Sequence, residues 1–350
     1  MRRSKRRAEG ISIKTLPSEQ ASKRSPVPNV APFRRALLAW YDRHRRDLPW
    51  RRTADPYAIW LSEIMLQQTR VAAVLEHYRI FLERFPTVSA LSKASGDDVL
   101  AAWSGLGYYR RARMLHQCGR EIVAQHGGRF PENSEALREL PGIGRYTAAA
   151  VASIAFAEPV AVVDGNVERV LRRVSGVDLA GTECWKRAQE LLSPARPGDF
   201  NQAMMELGAM VCLPGEPRCE VCPVRRWCAT RGPAPRAKSP ARQKRREIWC
   251  TLDRRNEHIR LVKRPAQESL MAGMWELPQW AELPHASAAA AHWRTFRHSI
   301  TLTDYTVHVL RDWKGKDGPT VRGKWVAIDR IPALPITGLT RKVLKADGII

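Results

Sequence analysis

Four cysteines, Cys212, Cys219, Cys222 and Cys228, fall within 17 residues in the spacing C-x6-C-x2-C-x5-C. Thiolates this close can surround one metal centre, and the intervening Pro and Gly residues allow the chain to wrap around it. By ligand type alone, zinc and iron–sulfur both suit such a set. Cys118, Cys184 and Cys250 are scattered and read as buried or free thiols. The basic opening "MRRSKRRAEG" has no apolar core behind it, so it is not a secretory signal. The longest apolar run, Ala148–Ala157, is far short of the roughly 20 residues that cross a bilayer. We therefore expect no membrane association and a reducing, cytoplasmic setting (nucleoid-associated in a bacterium), where cysteines serve metal chemistry before disulfides.

Charge narrows the partner. With 58 Lys+Arg against 35 Asp+Glu, the 350-residue chain carries +23. Such an excess favours a polyanion, because each neutralised phosphate releases counterions. A hydrophobic content of 44% is enough for real cores, and the length suggests two or three domains.

Residues 1–30 are basic and aperiodic and read as a disordered tail. Residues 31–230 show helical spacing, for example Phe33, Leu37, Trp40 and Tyr41, then Tyr57, Trp60, Leu61, Ile64 and Met65. Further helices are expected at 71–85, 97–102, 110–126, 134–140, 146–156, 167–174 and 184–192, with Pro, Gly and Asn/Asp in the gaps. A Pro-rich basic linker occupies 231–246. Beyond it, in 247–350, "EIWCTL", "HIRLVKR", "TLTDYTVHVL" and "GKWVAI" read as strands, and 339–345 as a final helix. The expectation is a mainly helical body followed by a smaller α+β module.

Within "ELPGIGRYTAAAV", Pro141, Gly142 and Gly144 make a tight turn that leaves backbone amides uncovered at the start of the next helix. That is an anion site, although an ordinary helix–turn–helix connector would look the same. Asp164 stands between an apolar run and a helix, where the plain role is an N-cap. Glu63 lies in the apolar helix "WLSEIMLQQTRV"; the plain reading of a glutamate there is a solvated face residue, whereas an apolar, desolvated setting would raise its pKa.

These pieces together resemble a known family. The cysteine spacing is similar to the [4Fe–4S] loop of the endonuclease III superfamily of DNA glycosylases, and "LPGIGRYTA" to that superfamily's helix-hairpin-helix (about 134–157). The match extends from about Ala31 to the C-terminus and is to the MutY family of adenine DNA glycosylases. The resemblance implies a monomeric base-excision enzyme that flips adenine out of double-stranded DNA where it faces 8-oxoguanine or guanine. By the same resemblance Glu63 protonates adenine N7, Asp164 stabilises the cationic sugar, and Asn166 joins Asp164 and Tyr146 at the sugar or water. Lyase members carry a lysine where this chain has Tyr146. A phenol cannot form a Schiff base, so a monofunctional glycosylase is expected, with an endonuclease III-like glycosylase/lyase on oxidised pyrimidines as the alternative.

The resemblance also places Trp50 and Arg51 in the adenine pocket, and Glu206 in a hydrogen bond to the extruded base. Gln68 serves as a wedge, Leu106 and Tyr108 as an intercalating pair, and Gly142, Gly144 and Arg145 as contacts to the DNA backbone. Arg110, Arg111 and Arg113 lie beside the pair for phosphate, and core packing is the plain alternative for Trp50 and Tyr108. Residues 247–350 resemble the Nudix-like domain that senses 8-oxoguanine. Clustered carboxylates for nucleotide hydrolysis are missing there: Gly273 onward offers Glu276 and Glu282. Where the family often shows Phe-Ser-His, this chain reads "TFRHSITLTDY". Either Phe296-Arg297-His298 or Ile300-Thr301-Leu302 fits that register, so His298 and Thr301 are both lesion-sensing candidates.

Overall fold

The computed structural model describes residues 30–232, 244–268, 270–280, 291–300, 302–311 and 323–350. The tail 1–29, residues 233–243 of the linker, and Thr301 lie outside these described residues.

The helical residues build two apolar cores. Helix α1 (Val30–His44) buries Phe33, Leu37, Trp40 and Tyr41 against α9 (Gly165–Ser175), α10 (Gly181–Leu191) and α11 (Pro197–Met210). The other core joins α2 (Pro56–Leu66), α3 (Val71–Arg84), α4 (Val88–Lys93), α5 (Gly96–Ala102), α6 (Arg110–His126), α7 (Ser134–Arg138) and α8 (Arg145–Ala155). Helix α2 is apolar on nearly every side and is buried accordingly. Its start is fixed by Asp55, whose carboxylate accepts from the Tyr57 amide at 3.0 Å, with Pro56 at the first helical position. The chain crosses between the cores before α2 and again before α9, so the ends of α2, α8, α9 and α11 meet along one seam.

Two helices escape the sequence reading. Helix α4 has six residues, too few to show a period, and α11 opens on Pro197-Gly198, a pair that reads as a break.

The C-terminal module is α+β. Strand β1 (Lys244–Leu252) runs parallel to β7 (Thr303–Arg311), and β5 (Gln279–Trp280) and β6 (His292–Ile300) flank them in the order β5-β1-β7-β6. Strand β1 begins inside the segment expected to be linker, because Lys244 and Arg245 already pair with Thr303 and Asp304. Strand β3 (His258–Lys263) pairs with β2 (Arg254–Arg255), β4 (Trp275–Glu276) and β8 (Lys324–Ala327). Helix α12 (Gly338–Ala346) is capped by Thr337 and closes a core of Leu252, Leu261, Val307, Val309, Val343 and Leu344.

Module and helical body touch. Ser104 Oγ donates to the Ile336 carbonyl at 2.8 Å, Lys263 pairs with Asp97 at 2.7 Å, and Arg113 donates to the Ala272 carbonyl. No helix among the described residues is long and apolar enough to cross a membrane.

Candidate active site

The seam between the two cores opens into a cavity of about 840 Å³ lined by Trp50, Arg51, Glu63, Tyr146, Asp164, Asn166 and Glu206, among others. Residues spread over more than 150 positions of sequence thus face one space.

Glu63, on α2, is 6% exposed. Burial pushes its carboxyl up to about 7; the Tyr146 hydroxyl opposes that shift, and the Asp164 charge adds to it. The Tyr146 hydroxyl donates to Glu63 Oε2 at 2.6 Å and lies 3.4 Å from Met205 Sδ. Burial, followed by the charge of Glu63, holds the phenol well above its ordinary value, so it stays a donor. Tyr146 stands here because the hairpin turn ends at Gly144, the N-cap of α8.

Asp164 caps α9. Its Oδ1 accepts from the Val167 amide at 2.7 Å and its Oδ2 from Asn166 Nδ2 at 2.9 Å. Asn166 Oδ1 in turn accepts from Arg169 at 2.8 Å, and Arg169 reaches on to the Gly208 and Cys212 carbonyls. The capping and cavity-lining placements coexist in one side chain.

Glu206, 1% exposed on α11, has both carboxylate oxygens occupied. Arg46 donates to Oε1 and Oε2 at 2.8 and 2.6 Å, Arg51 at 3.1 and 2.9 Å, and the Arg46 amide adds a fifth contact. Burial pushes this carboxyl up, but the two guanidiniums outweigh it and hold it at about 2. Glu206 therefore anchors Arg46 and Arg51 in the structure as it stands. Sequence reasoning missed Arg46, which sits in a basic run that looks like a solvated face. Trp50 is buried, edge-on to Tyr78 at 5.3 Å.

A second cavity, about 610 Å³, adjoins the end of α2 and is lined by Gln68, Leu106, Tyr108, Gly142, His298 and Ile300, among others. Tyr108 is 49% exposed and Gln68 is exposed. Leu106 departs from expectation: it is 6% exposed, packed in the core under the loop, and does not protrude beside Tyr108. Arg111 and Arg113, expected to lie free for phosphate, also turn inward. Arg113 reaches Ala272, and Arg111 donates to several backbone carbonyls. Of the two lesion-sensing candidates, His298 stands on β6 opposite Tyr305 and lines this cavity; burial and Lys342 pull its pKa down.

In the hairpin, Gly142 has φ +80°, and a Cβ there would lie 2.9 Å from Met114 Cβ. Nothing lies within 4 Å of a Cβ built on Gly144, and Gly144 and Arg145 are exposed at the start of α8, where no side chain caps the helix. Arg145 is exposed, its guanidinium 4.0 Å over the Trp185 ring.

The thiols of Cys212, Cys219, Cys222 and Cys228 are free and half-buried, and Cys222 lies in the field of the other three. Arg173 Nη1 donates to Cys212 Sγ at 3.3 Å. Among the described residues no group of three or more His, Cys, Asp or Glu side chains is drawn together around a single ion. Four unpaired thiols on one 17-residue loop, with the buried Arg173 guanidinium against Cys212, are the donor types that an anionic metal–sulfur centre takes.

Comparison with known proteins agrees with this architecture. Residues 61–194 match the HhH-GPD superfamily of base excision DNA repair proteins. A thermostable thymine-DNA glycosylase structure is similar with a TM-score of 0.55 and 32% identity, covering 57% of this chain and 95% of that one. Fold and site together define a helix-hairpin-helix base-excision repair protein. The adenine DNA glycosylase of Homo sapiens is 49% identical over 220 residues, 59% of this chain and 40% of that protein. The adenine DNA glycosylase of Buchnera aphidicola subsp. Acyrthosiphon pisum (strain APS) is 34% identical over 248 residues, 67% of this chain and 71% of its own length. The chain belongs to the adenine DNA glycosylase family. It spans less than half the length of its mammalian relatives.

Proposed function

We propose that this chain hydrolyses the N-glycosidic bond of adenine in double-stranded DNA where the base faces 8-oxoguanine or guanine, acting as a monomer and without lyase chemistry. The observation that carries the reading is the Glu63–Tyr146 contact beside Asp164 in one cavity: a carboxyl near 7, a phenol that stays protonated, and a second carboxylate on a helix start.

The chemistry follows from those groups. A base flipped into the cavity meets a Glu63 that is substantially protonated at neutral pH and can donate to adenine N7, making the base a neutral leaving group. The sugar cation that remains faces Asp164, whose carboxylate is fixed by the Val167 amide and Asn166 and needs no rearrangement to stabilise it. Glu63, now ionised, takes the proton of the attacking water. Tyr146 offers no amine, so no covalent adduct forms with the sugar. Arg46 and Arg51, held by Glu206, shape the pocket wall beside Trp50. Gln68 and Tyr108 fill the space left in the duplex, while the Gly142–Arg145 turn grips the backbone.

Cys212, Cys219, Cys222 and Cys228 would hold a [4Fe–4S] cluster. When bound, it supplies structural cross-linking and a fixed charge rather than a step of the reaction. Residues 247–350 form the Nudix-like unit that would sense 8-oxoguanine, with His298 on β6 as its reader, since β6 and the wedge loops line one cavity.

Single-turnover assays test the reading on duplexes carrying A opposite 8-oxoguanine, G or T, plus a thymine glycol control. Excision should be confined to the first two, borohydride should trap little adduct, and Tyr146→Lys should increase trapping. Strand cleavage at thymine glycol with abundant trapping would favour a lyase on oxidised pyrimidines instead.

A further inference from the structure

Outside glycine, Gln68 and Tyr108 are two of five residues with positive φ among the described residues, at 57° and 47°. L-residues adopt that region under constraint, so something must hold each loop in it. One side chain touches both loops. Arg111 Nη1 donates to the Ile64 carbonyl at 2.7 Å, to Met65 at 3.0 Å and to that of Gln67. Its Nη2 contacts Thr69 Oγ1 at 3.1 Å and the Leu106 and Gly107 carbonyls at 3.4 Å. The Gln67 and Gly107 carbonyls belong to the peptides immediately before Gln68 and Tyr108. Holding them fixes the peptide planes about which the two unusual φ angles are set. The guanidinium also lies 5.4 Å from the Trp103 ring and 5.3 Å from that of Tyr108.

We infer that Arg111 is a positioning residue that sets Gln68 and Tyr108 relative to each other and to the C-terminal end of the helix bearing Glu63. Its planar fork serves acceptors on three segments at once, which a lysine ammonium in the same place cannot do. Burial lowers its pKa only to about 10, so it is charged at neutral pH and complements the carbonyl end of α2. Both of its Nη atoms are already engaged by these acceptors, unlike those of a side chain free to take phosphate.

The inference rests on reading Gln68 and Tyr108 as residues that enter the duplex, and the test separates the two. Arg111→Lys, Arg111→Met and the milder Thr69→Val are compared with Gln68→Ala and Tyr108→Ala. Readouts are single-turnover excision at saturating enzyme, 2-aminopurine fluorescence as a report of base eversion, and affinity for a matched duplex over a range of salt.

Positioning predicts that Arg111→Lys excises at least about tenfold more slowly with loss of the eversion signal, since misplacement by an ångström can cost on the order of a hundredfold. Thr69→Val, which removes one acceptor and is tolerant of misfolding, should slow excision several-fold, while matched-duplex affinity stays within about twofold. A parallel fall in matched-duplex affinity with a salt slope smaller by about one would make Arg111 a phosphate contact and overturn the inference. Unchanged excision in both Arg111→Lys and Thr69→Val would overturn it as well. If Gln68→Ala and Tyr108→Ala excise at the wild-type rate, it is the wedge reading that fails.

Discussion

Glu63 occupies a place that an ionised carboxylate resists. Its folded pKa of about 7 lies above the unfolded value of 4.5, so the native state binds the extra proton between those limits. Stability contributed by the neutral form is complete below about pH 4.5 and declines as pH rises towards 7. By pH 8 the deficit is on the order of 3 kcal/mol. Glu63→Gln should therefore raise the unfolding midpoint at pH 8 and leave it nearly unchanged at pH 4.5, while abolishing excision and retaining DNA binding. Thermal melts across that pH range check the first half, and single-turnover rates with binding titrations the second. In the wild type, excision should fall about tenfold per pH unit above 7 as the acid is lost.

Glu63, Tyr146 and Asp164 were legible in the sequence because each sits in a compact motif whose neighbours identify it. The Arg46–Glu206 pair was not, since its partners are 160 positions apart and no local pattern links them. The burial of Leu106 was not legible for a related reason: a Gly-Leu-Gly turn exposes or buries its leucine according to what packs beneath it.

Among elements, the contact between α9 and α11 decides where Asp164 and Asn166 stand. A Cβ on Gly208 would lie 2.5 Å from Asn166 Cβ and 3.0 Å from its carbonyl oxygen, so the helices close only because that position is bare. Gly208→Ala should destabilise the fold by about 1–3 kcal/mol, the usual cost of overpacking. It should also slow excision beyond what stability explains, because Asn166 must move. Denaturant midpoints and single-turnover rates below the melting range measure the two effects separately. Periodicity revealed most helices but not the 14-residue α11, and strand β6 stayed hidden from it: "WRTFRH" puts its two large apolar rings three residues apart, out of step with a strand's period of two.

For the whole molecule, the cysteine loop and the C-terminal module fasten to the helical body at different places. The module grips α5 and α6, and the loop grips α9 through Arg169 and Arg173. If iron–sulfur fills the loop, the purified protein should be yellow-brown with absorbance near about 400 nm. Cys222→Ser should bleach it and lower the melting midpoint, whereas a colourless, zinc-loaded protein would overturn the assignment. The four cysteines were the plainest signal in the chain, because a set of thiols is written in local spacing. The junction between module and body was illegible, resting on contacts such as Ser104 with Ile336 that join distant residues.

Arg169 holds the carbonyl at which the chain enters the cysteine loop and, with the same guanidinium, the amide oxygen of Asn166 beside Asp164. A preparation that has lost order around Cys212 would thus display slow turnover although Glu63 and Tyr146 stand unchanged in the cavity. Biochemists scoring variants of this protein would mistake bad sample handling for a broken catalyst unless colour and rate were recorded on the same batch.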